Sequence, residues 1–128
     1  MDTKKKIISF RDLDVYKNTY NACLRVHVNI LPLLPDREKF NLYDQLNRSS
    51  QAIPRLIAEG YAKRHQRAGF QKYLDDTLAE CNETIVSLEQ VRDLYACNTS
   101  ECTKLIDIYE IAGRQIYRLK EVWTKFTR

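Results

Sequence analysis

The chain has 128 residues, with 21 Lys and Arg against 17 Asp and Glu and a formal net charge of +4. This length suits one domain over residues 1–128, and three Gly and three Pro are too few for the many turns of an all-β sandwich or barrel. A composition of 44% apolar and 30% charged residues excludes a disordered chain, and the lack of a long apolar run excludes a transmembrane helix.

Apolar residues recur in alternating steps of four and three along most of the chain, a spacing typical of helices packed in bundles. After a basic tail over residues 1–9, the pattern predicts four helices, near 12–34, 37–61, 67–96 and 100–127. Four helices of similar length with short connections favour an all-α, antiparallel up-down-up-down four-helix bundle.

The first helix carries two neighbouring stripes, one beginning at Val15 and one at Tyr16, which indicates burial on two sides. Pro32 and Pro35 are expected to end this helix, because proline lacks the N–H that the helical hydrogen bond needs. Asp36 is then a candidate N-cap of the second helix.

Two helix-disfavouring residues interrupt the apolar pattern of the second helix. Pro54 is expected to remove the hydrogen bond to the Ser50 carbonyl and to bend the helix, and Gly60 is expected at or just after its end.

The four cysteines lack the paired spacing of a zinc site. Cys23 and Cys81 fall on apolar helical faces as small hydrophobic residues, whereas Cys97 and Cys102 flank a predicted turn and are expected to be exposed thiols. No secretion signal precedes them, so we expect a cytoplasmic protein that binds no metal or cofactor.

The sequence lacks the phosphate-binding, dinucleotide-binding, zinc-protease and hydrolase motifs. His27 lies on an apolar face and is expected in the core or an interface, while His65 lies in a basic, solvated connection. Asp75 and Asp76 are expected on a solvated acidic face, because adjacent helical residues point about 100° apart. The sequence therefore predicts a protein that is not an enzyme.

Charge is unevenly distributed along the chain. Residues 73–95 hold six acids and one base, whereas the tail, residues 61–72 and residues 114–128 are basic. In an up-down-up-down bundle these three basic clusters converge on one end. Helix-dipole complementation explains bases at the end of the fourth helix but not at the start of the third. An anionic partner is the alternative, and the predicted phosphate contacts are Lys63, Arg64, Arg67, Lys72, Arg114, Arg118 and Lys125.

Further side chains carry weaker expectations. The tyrosines could stack on nucleobases, but their helical spacing is more typical of core positions. Arg48 and Glu59 are three helical turns apart and share a face, so we expect them to be partly buried and to pair with a neighbouring helix or subunit.

Two segments resemble a known family. FRDLDVY over residues 10–16 is similar to the F-x-D-L-x-V-W/Y opening, and QLNRSSQAIPRLIAEG over residues 45–60 is similar to the long second-helix motif, of the bacterial proteins encoded in 23S rRNA intervening sequences. Phe70 and Leu74 fit the F-x-x-x-L start of that family's third helix.

The resemblance implies a four-helix protomer that assembles into a homo-oligomer, a pentameric ring. Relatives include accessory proteins of diversity-generating retroelements, which bind nucleic acid and a reverse transcriptase. The first hypothesis is therefore a non-enzymatic ring that binds RNA or DNA. The alternative is a protein-interaction scaffold or accessory subunit, for example for a reverse transcriptase, that does not itself bind nucleic acid.

Overall fold

A computed structural model describes the backbone of residues 6–123 and the side chains of residues 6–122. Within that range the chain forms three short 3-10 helices (Phe10–Asp12, Leu31–Leu33 and Asp36–Glu38) and four long helices: α1 (Asp14–Asn29), α2 (Leu42–Ala62), α3 (Arg67–Tyr95) and α4 (Thr99–Trp123). The predicted all-α four-helix class is confirmed.

The four long helices form a square bundle. α1 and α3 each pack against α2 and α4, and between described residues no Cα atoms of a diagonal pair of helices lie within 8 Å of each other. Gly60 near the end of α2 approaches Tyr73 near the start of α3, and Arg25 near the end of α1 contacts Glu101 near the start of α4. Neighbouring helices therefore run antiparallel.

The residues that recur in alternating steps of four and three along each helix fill the core. Its largest fully buried side chains include Val26, Ile30, Leu46, Ile53, Phe70, Leu74, Leu88, Leu105, Tyr109 and Ile116. Of the two stripes on α1, the one that begins at Val15 is buried. The stripe that begins at Tyr16 lies along α2. Cys23 in this stripe is buried but Tyr20 is exposed, so the stripe is only partly covered within one protomer.

Helix boundaries differ from expectation around the prolines. α1 ends at Asn29 rather than near 34, and α2 begins at Leu42 rather than 37. Pro32 and Pro35 interrupt the helical hydrogen bonds, and short 3-10 turns fill the gap. Asp36 therefore begins a 3-10 turn and is not the N-cap of α2, a position that Asn41 occupies.

The four cysteines differ in exposure. Cys23 and Cys81 are buried as expected, and burial raises the pKa of Cys81 to about 12. Cys102 was expected to be exposed, and this is wrong. It lies four residues into α4, facing the core, where burial raises its pKa to about 11. Cys97 is half-buried, and its thiol donates to the Leu33 carbonyl at 3.5 Å.

Gly60 does not end α2, which continues through Pro54 and Gly60 to Ala62. A Cβ added at Gly60 would lie 3.0 Å from Tyr73 Cβ and 3.8 Å from Phe70 Cδ1. Such a contact is tight against an atom next to the α3 backbone, so glycine permits the close approach of α2 and α3. At Gly113 in α4 the nearest atom would be 4.0 Å away.

Gly60→Ala and Gly113→Ala form a matched pair, because each adds one methyl group inside a long helix. Both gain about 0.5–1 kcal/mol of helix stability, but only the methyl group at residue 60 presses on α3. We expect Gly60→Ala to be less stable than Gly113→Ala by about 1–3 kcal/mol, measured by urea unfolding followed by circular dichroism. Equal free energies of unfolding would contradict this packing.

A charged hydrogen-bond cluster joins α1 to α4 at the opposite end of the bundle. Arg25 donates from Nη2 to Glu101 Oε1 at 2.7 Å and from Nε to Oε2 at 2.9 Å, and Asn29 donates to Oε2 at 2.8 Å. Asn98 donates to the Asn29 carbonyl at 3.2 Å. The hydrogen bond from Arg25 is the main cause that lowers the pKa of Glu101 to about 2.

Stability should therefore depend on the ionisation of Glu101. A carboxyl group with a lowered pKa stabilises the fold at any pH above its ordinary pKa of 4.5. This contribution is lost as the pH falls from 4.5 toward about 2. We expect Glu101→Gln to cost about 1–2 kcal/mol at pH 7, less than the full pKa shift because solvent screens a partly exposed pair. The deficit should shrink in urea unfolding below pH 5.

Asp44→Asn is the control, since it removes the exposed pair between Arg48 and Asp44 within α2. Its expected cost is below about 0.5 kcal/mol. A Glu101→Gln deficit as small as that of the control, or one independent of pH, would contradict the assignment.

Candidate nucleic-acid interface

The connection from α2 to α3 is the most basic part of the described surface. Residues 60–74 contain Lys63, Arg64, Arg67 and Lys72 and no acid. All four basic side chains are exposed. We call residues 63–67 the basic turn.

The start of α3 lies in the basic turn. Gln66 occupies the N-cap position without a side-chain cap, and the first helical turn contains no acid. The first backbone N–H groups of a helix have no partner within it, and they carry a partial positive charge. This helix start therefore combines unpaired donors with surrounding cations, an arrangement suited to a phosphate oxygen.

The three cations of the basic turn differ in how they are held. Arg64 Nη1 donates to the Tyr61 carbonyl at 2.8 Å, and its guanidinium carbon lies 4.0 Å from the centre of the Tyr61 ring. Lys63 and Arg67 form no ion pair with any residue from 6 to 122. The charge of the basic turn is therefore not neutralised by the described protein surface.

Two lysines near the basic turn are already paired. Lys72 Nζ lies 2.9 Å from Asp76 Oδ2, and this hydrogen bond raises the pKa of Lys72. Lys120 Nζ lies 2.5 Å from Asp75 Oδ1 and joins the end of α4 to the start of α3. Asp76 therefore partly neutralises the charge of Lys72, whereas no described acid is paired with Lys63 or Arg67.

The predicted contacts on α4 are separated along the helix. Arg118 is exposed near the end of α4. Arg114 is also exposed but lines the groove between α3 and α4 beside Tyr117, roughly 14 Å along the helix from residue 123. Lys125 and residues 1–5 lie outside the described residues. Arg118 thus lies one helical turn closer than Arg114 to the end of α4, which Lys120 joins to the start of α3.

The two halves of the bundle carry opposite net charge. Dividing residues 6–122 at the helix midpoints puts eleven bases and seven acids in the half with the basic turn (6–21, 52–81 and 111–122), a net charge of +4. The other half has six bases and nine acids, a net charge of −3. Antiparallel packing therefore concentrates positive charge at one end, which we call the basic end.

Arg48 and Glu59 line one groove with Glu80, so they share a face as expected. Both are exposed, however, and Arg48 pairs with Asp44 one turn away at 3.2 Å. The expectation of partial burial is therefore wrong, because this face of α2 is open to solvent, but the charge of Arg48 interacts with Glu80 of the neighbouring α3. Their pairing with another subunit stays a prediction.

Arg55 is a basic residue that the sequence interpretation missed. It is exposed, forms no ion pair with the described residues, and lines grooves on both sides of α2. Its position seven residues after Arg48, on the same helical face, was the available signal.

The described residues contain neither a metal-binding cluster nor a membrane-spanning helix. No group of three or more His, Cys, Asp or Glu side chains is arranged there to hold a metal ion. Within residues 6–123, no helix has the length and apolar character needed to cross a bilayer.

Comparison with protein families gives a match that spans most of the chain. The sequence model described as 23S rRNA-intervening sequence protein matches residues 11–118, which include most of all four long helices. The chain belongs to this family. Comparisons of the chain with curated proteins and with solved structures found no match. The predicted family is confirmed, while the relation to retroelement accessory proteins stays a prediction.

Proposed function

We propose that this protein is a non-enzymatic nucleic-acid-binding protein that contacts RNA or DNA phosphates through its basic end. One observation carries the proposal: Lys63, Arg64 and Arg67 surround the uncapped start of α3 without an acidic partner among the described residues. The family description names 23S rRNA, which makes RNA the first ligand to test.

The arrangement of the basic turn does not stabilise the protein by itself. The start of a helix carries a partial positive charge, and a cation there is unfavourable by about 0.3–1 kcal/mol. Arg67 is the first residue of α3, and no acid offsets it in that turn. A bound phosphate would turn this repulsion into attraction for both the side chains and the backbone N–H groups.

The expected strength follows from the number of free cations. Lys63, Arg64, Arg67 and Arg118 are exposed without an acidic partner in the described chain, whereas Lys72 and Lys120 are held by Asp76 and Asp75. Four neutralised phosphates give a slope of log affinity against log salt of about −3 for a single strand and about −4 for duplex DNA.

The test is a paired substitution with a matched control. Lys63→Gln with Arg67→Gln removes two charges from the basic turn, and Lys39→Gln with Lys104→Gln removes two exposed charges from the opposite end. We expect the first pair to weaken binding to an RNA hairpin and a DNA duplex alike and to reduce the salt slope by about 1 per residue. Fluorescence anisotropy at several salt concentrations measures both quantities.

The control variant should bind as the unmodified protein does. Equal loss in the two variants, or no binding of the unmodified protein at about 50 mM salt, where phosphate contacts are strong, would contradict the proposal.

A second candidate function is protein interaction, through self-association as a homo-oligomer with a pentameric ring as the expected form, or as an accessory subunit of a reverse transcriptase. It is favoured by an open groove of about 890 Å³ between α3 and α4. The groove is lined by Leu78, Ile85, Val86 and Tyr117, and Val86 and Tyr117 are exposed. Exposed apolar grooves of this kind mark contact surfaces. Five copies would also multiply weak phosphate contacts by avidity.

Val86→Glu tests the second candidate, since it places a charge in the groove without disturbing the core. We expect a fall in the molar mass measured by light scattering, because an unpaired charge in an apolar interface is costly. Leu94→Glu is the control, as it changes an exposed apolar residue of α3 outside the groove. A monomeric unmodified protein, or equal mass in both variants, would contradict self-association through this groove.

A further inference from the structure

An aromatic cleft of about 490 Å³ lies between α1 and α2. This volume falls in the range of small-ligand sites. Aromatic and apolar side chains form most of its wall, and three polar side chains lie at its edge. The residues used below are Phe10, Tyr16, Tyr20, His27, Gln51 and Arg55.

Three rings follow one another along the cleft. Phe10 and Tyr16 meet edge to face with ring centres 4.9 Å apart, and Tyr16 and Tyr20 lie nearly parallel, at 23°, with centres 5.9 Å apart. Tyr20 is the outermost ring and is 47% exposed. The cleft therefore presents aromatic surface to solvent beside an ordered aromatic wall.

The polar edge is held in place by hydrogen bonds. His27 Nδ1 donates to the Cys23 carbonyl at 2.9 Å, and its Nε2 lies 2.6 Å from Asn47 Oδ1. Gln51 Nε2 donates to Asn47 Oδ1 at 2.7 Å. Among residues 6–122 the Gln51 amide oxygen has no hydrogen-bond partner, so it can accept a hydrogen bond from a ligand.

Positive charge adjoins both ends of the aromatic wall. The Arg11 guanidinium lies 4.6 Å from the centre of the Phe10 ring, and Arg55 lines the cleft without an ion pair in the described chain. Arg55 on α2 and Lys63, which directly follows that helix, are eight residues apart, roughly 12 Å along the helix axis. A polyanion bound at the basic turn could therefore continue to Arg55.

We propose that the cleft binds an unpaired nucleobase, stacked on Tyr20, while Arg55 contacts the adjoining phosphate. This inference rests on the proposed nucleic-acid binding. A base has an apolar face and a hydrogen-bonding edge, and proteins read RNA chiefly through unpaired bases stacked on aromatic side chains. The aromatic wall would stack on the face of the base, and the Gln51 oxygen would accept a hydrogen bond from its edge. The adjoining arginines would pair with the phosphate.

The experiment separates the base from the phosphates. Binding of a short single-stranded RNA is compared with binding of an abasic strand that has the same number of phosphates. Tyr20→Leu keeps an apolar side chain but removes the stacking face, and Tyr20→Phe restores it. Phe40→Leu is the matched control, since Phe40 is also an exposed aromatic residue, 88% accessible, but lies just before α2 at the opposite end of the bundle.

We expect Tyr20→Leu to weaken binding of the RNA by about 5- to 150-fold and to leave the abasic strand unaffected. Tyr20→Phe and Phe40→Leu should bind both strands as the unmodified protein does. Circular dichroism checks that each variant is folded.

Other outcomes overturn the inference in distinguishable ways. Equal affinity of the unmodified protein for both strands would remove the base contact while phosphate binding stands. Binding of neither strand would remove the proposed function itself. A change of molar mass in Tyr20→Leu, with the ratio of the two affinities unchanged, would make the cleft a contact between copies of the chain.

Discussion

The two short connections, residues 63–66 between α2 and α3 and residues 96–98 between α3 and α4, constrain the rest of the molecule. Connections of four and three residues leave consecutive helices no alternative to antiparallel packing. The second reversal uses left-handed backbone at Ala96 and Asn98, with φ of 52° and 41°. The helix ends therefore lie in two groups, one at each end of the bundle. The charged residues near those ends are separated in the same way.

The first turns of α3 and α4 carry charges of opposite sign, although both helix starts have the same partial positive charge. At the start of α4, Glu101 complements the helix dipole and is held by Arg25 and Asn29. At the start of α3, the corresponding turn has no acid and begins with Arg67. The first arrangement favours stability, whereas the second leaves a local repulsion that a bound anion would relieve. This contrast supports the assignment of the basic turn to an anion.

The sequence predicts the helices and the buried positions well, because alternating steps of four and three record which side of each helix faces the core. It predicts the roles of single residues less well where the same residue pattern can arise from two physical causes. Gly60 has the sequence signal of a helix end, yet its role is to let α3 approach α2. The spacing of Arg48 and Glu59 correctly gives a shared face, but no local pattern shows that this face points to solvent. The aromatic cleft was missed because it combines Phe10, which precedes α1, with residues of α2 more than forty positions away.

The segregation of charge has a kinetic consequence. Halves of net charge +4 and −3 within residues 6–122 give the bundle a permanent electric dipole moment along its long axis. The field of a polyanion exerts a torque on such a dipole, so the protein turns its basic end forward before the surfaces touch. Orientation during approach raises the fraction of productive collisions, and with it the association rate, most strongly at low ionic strength.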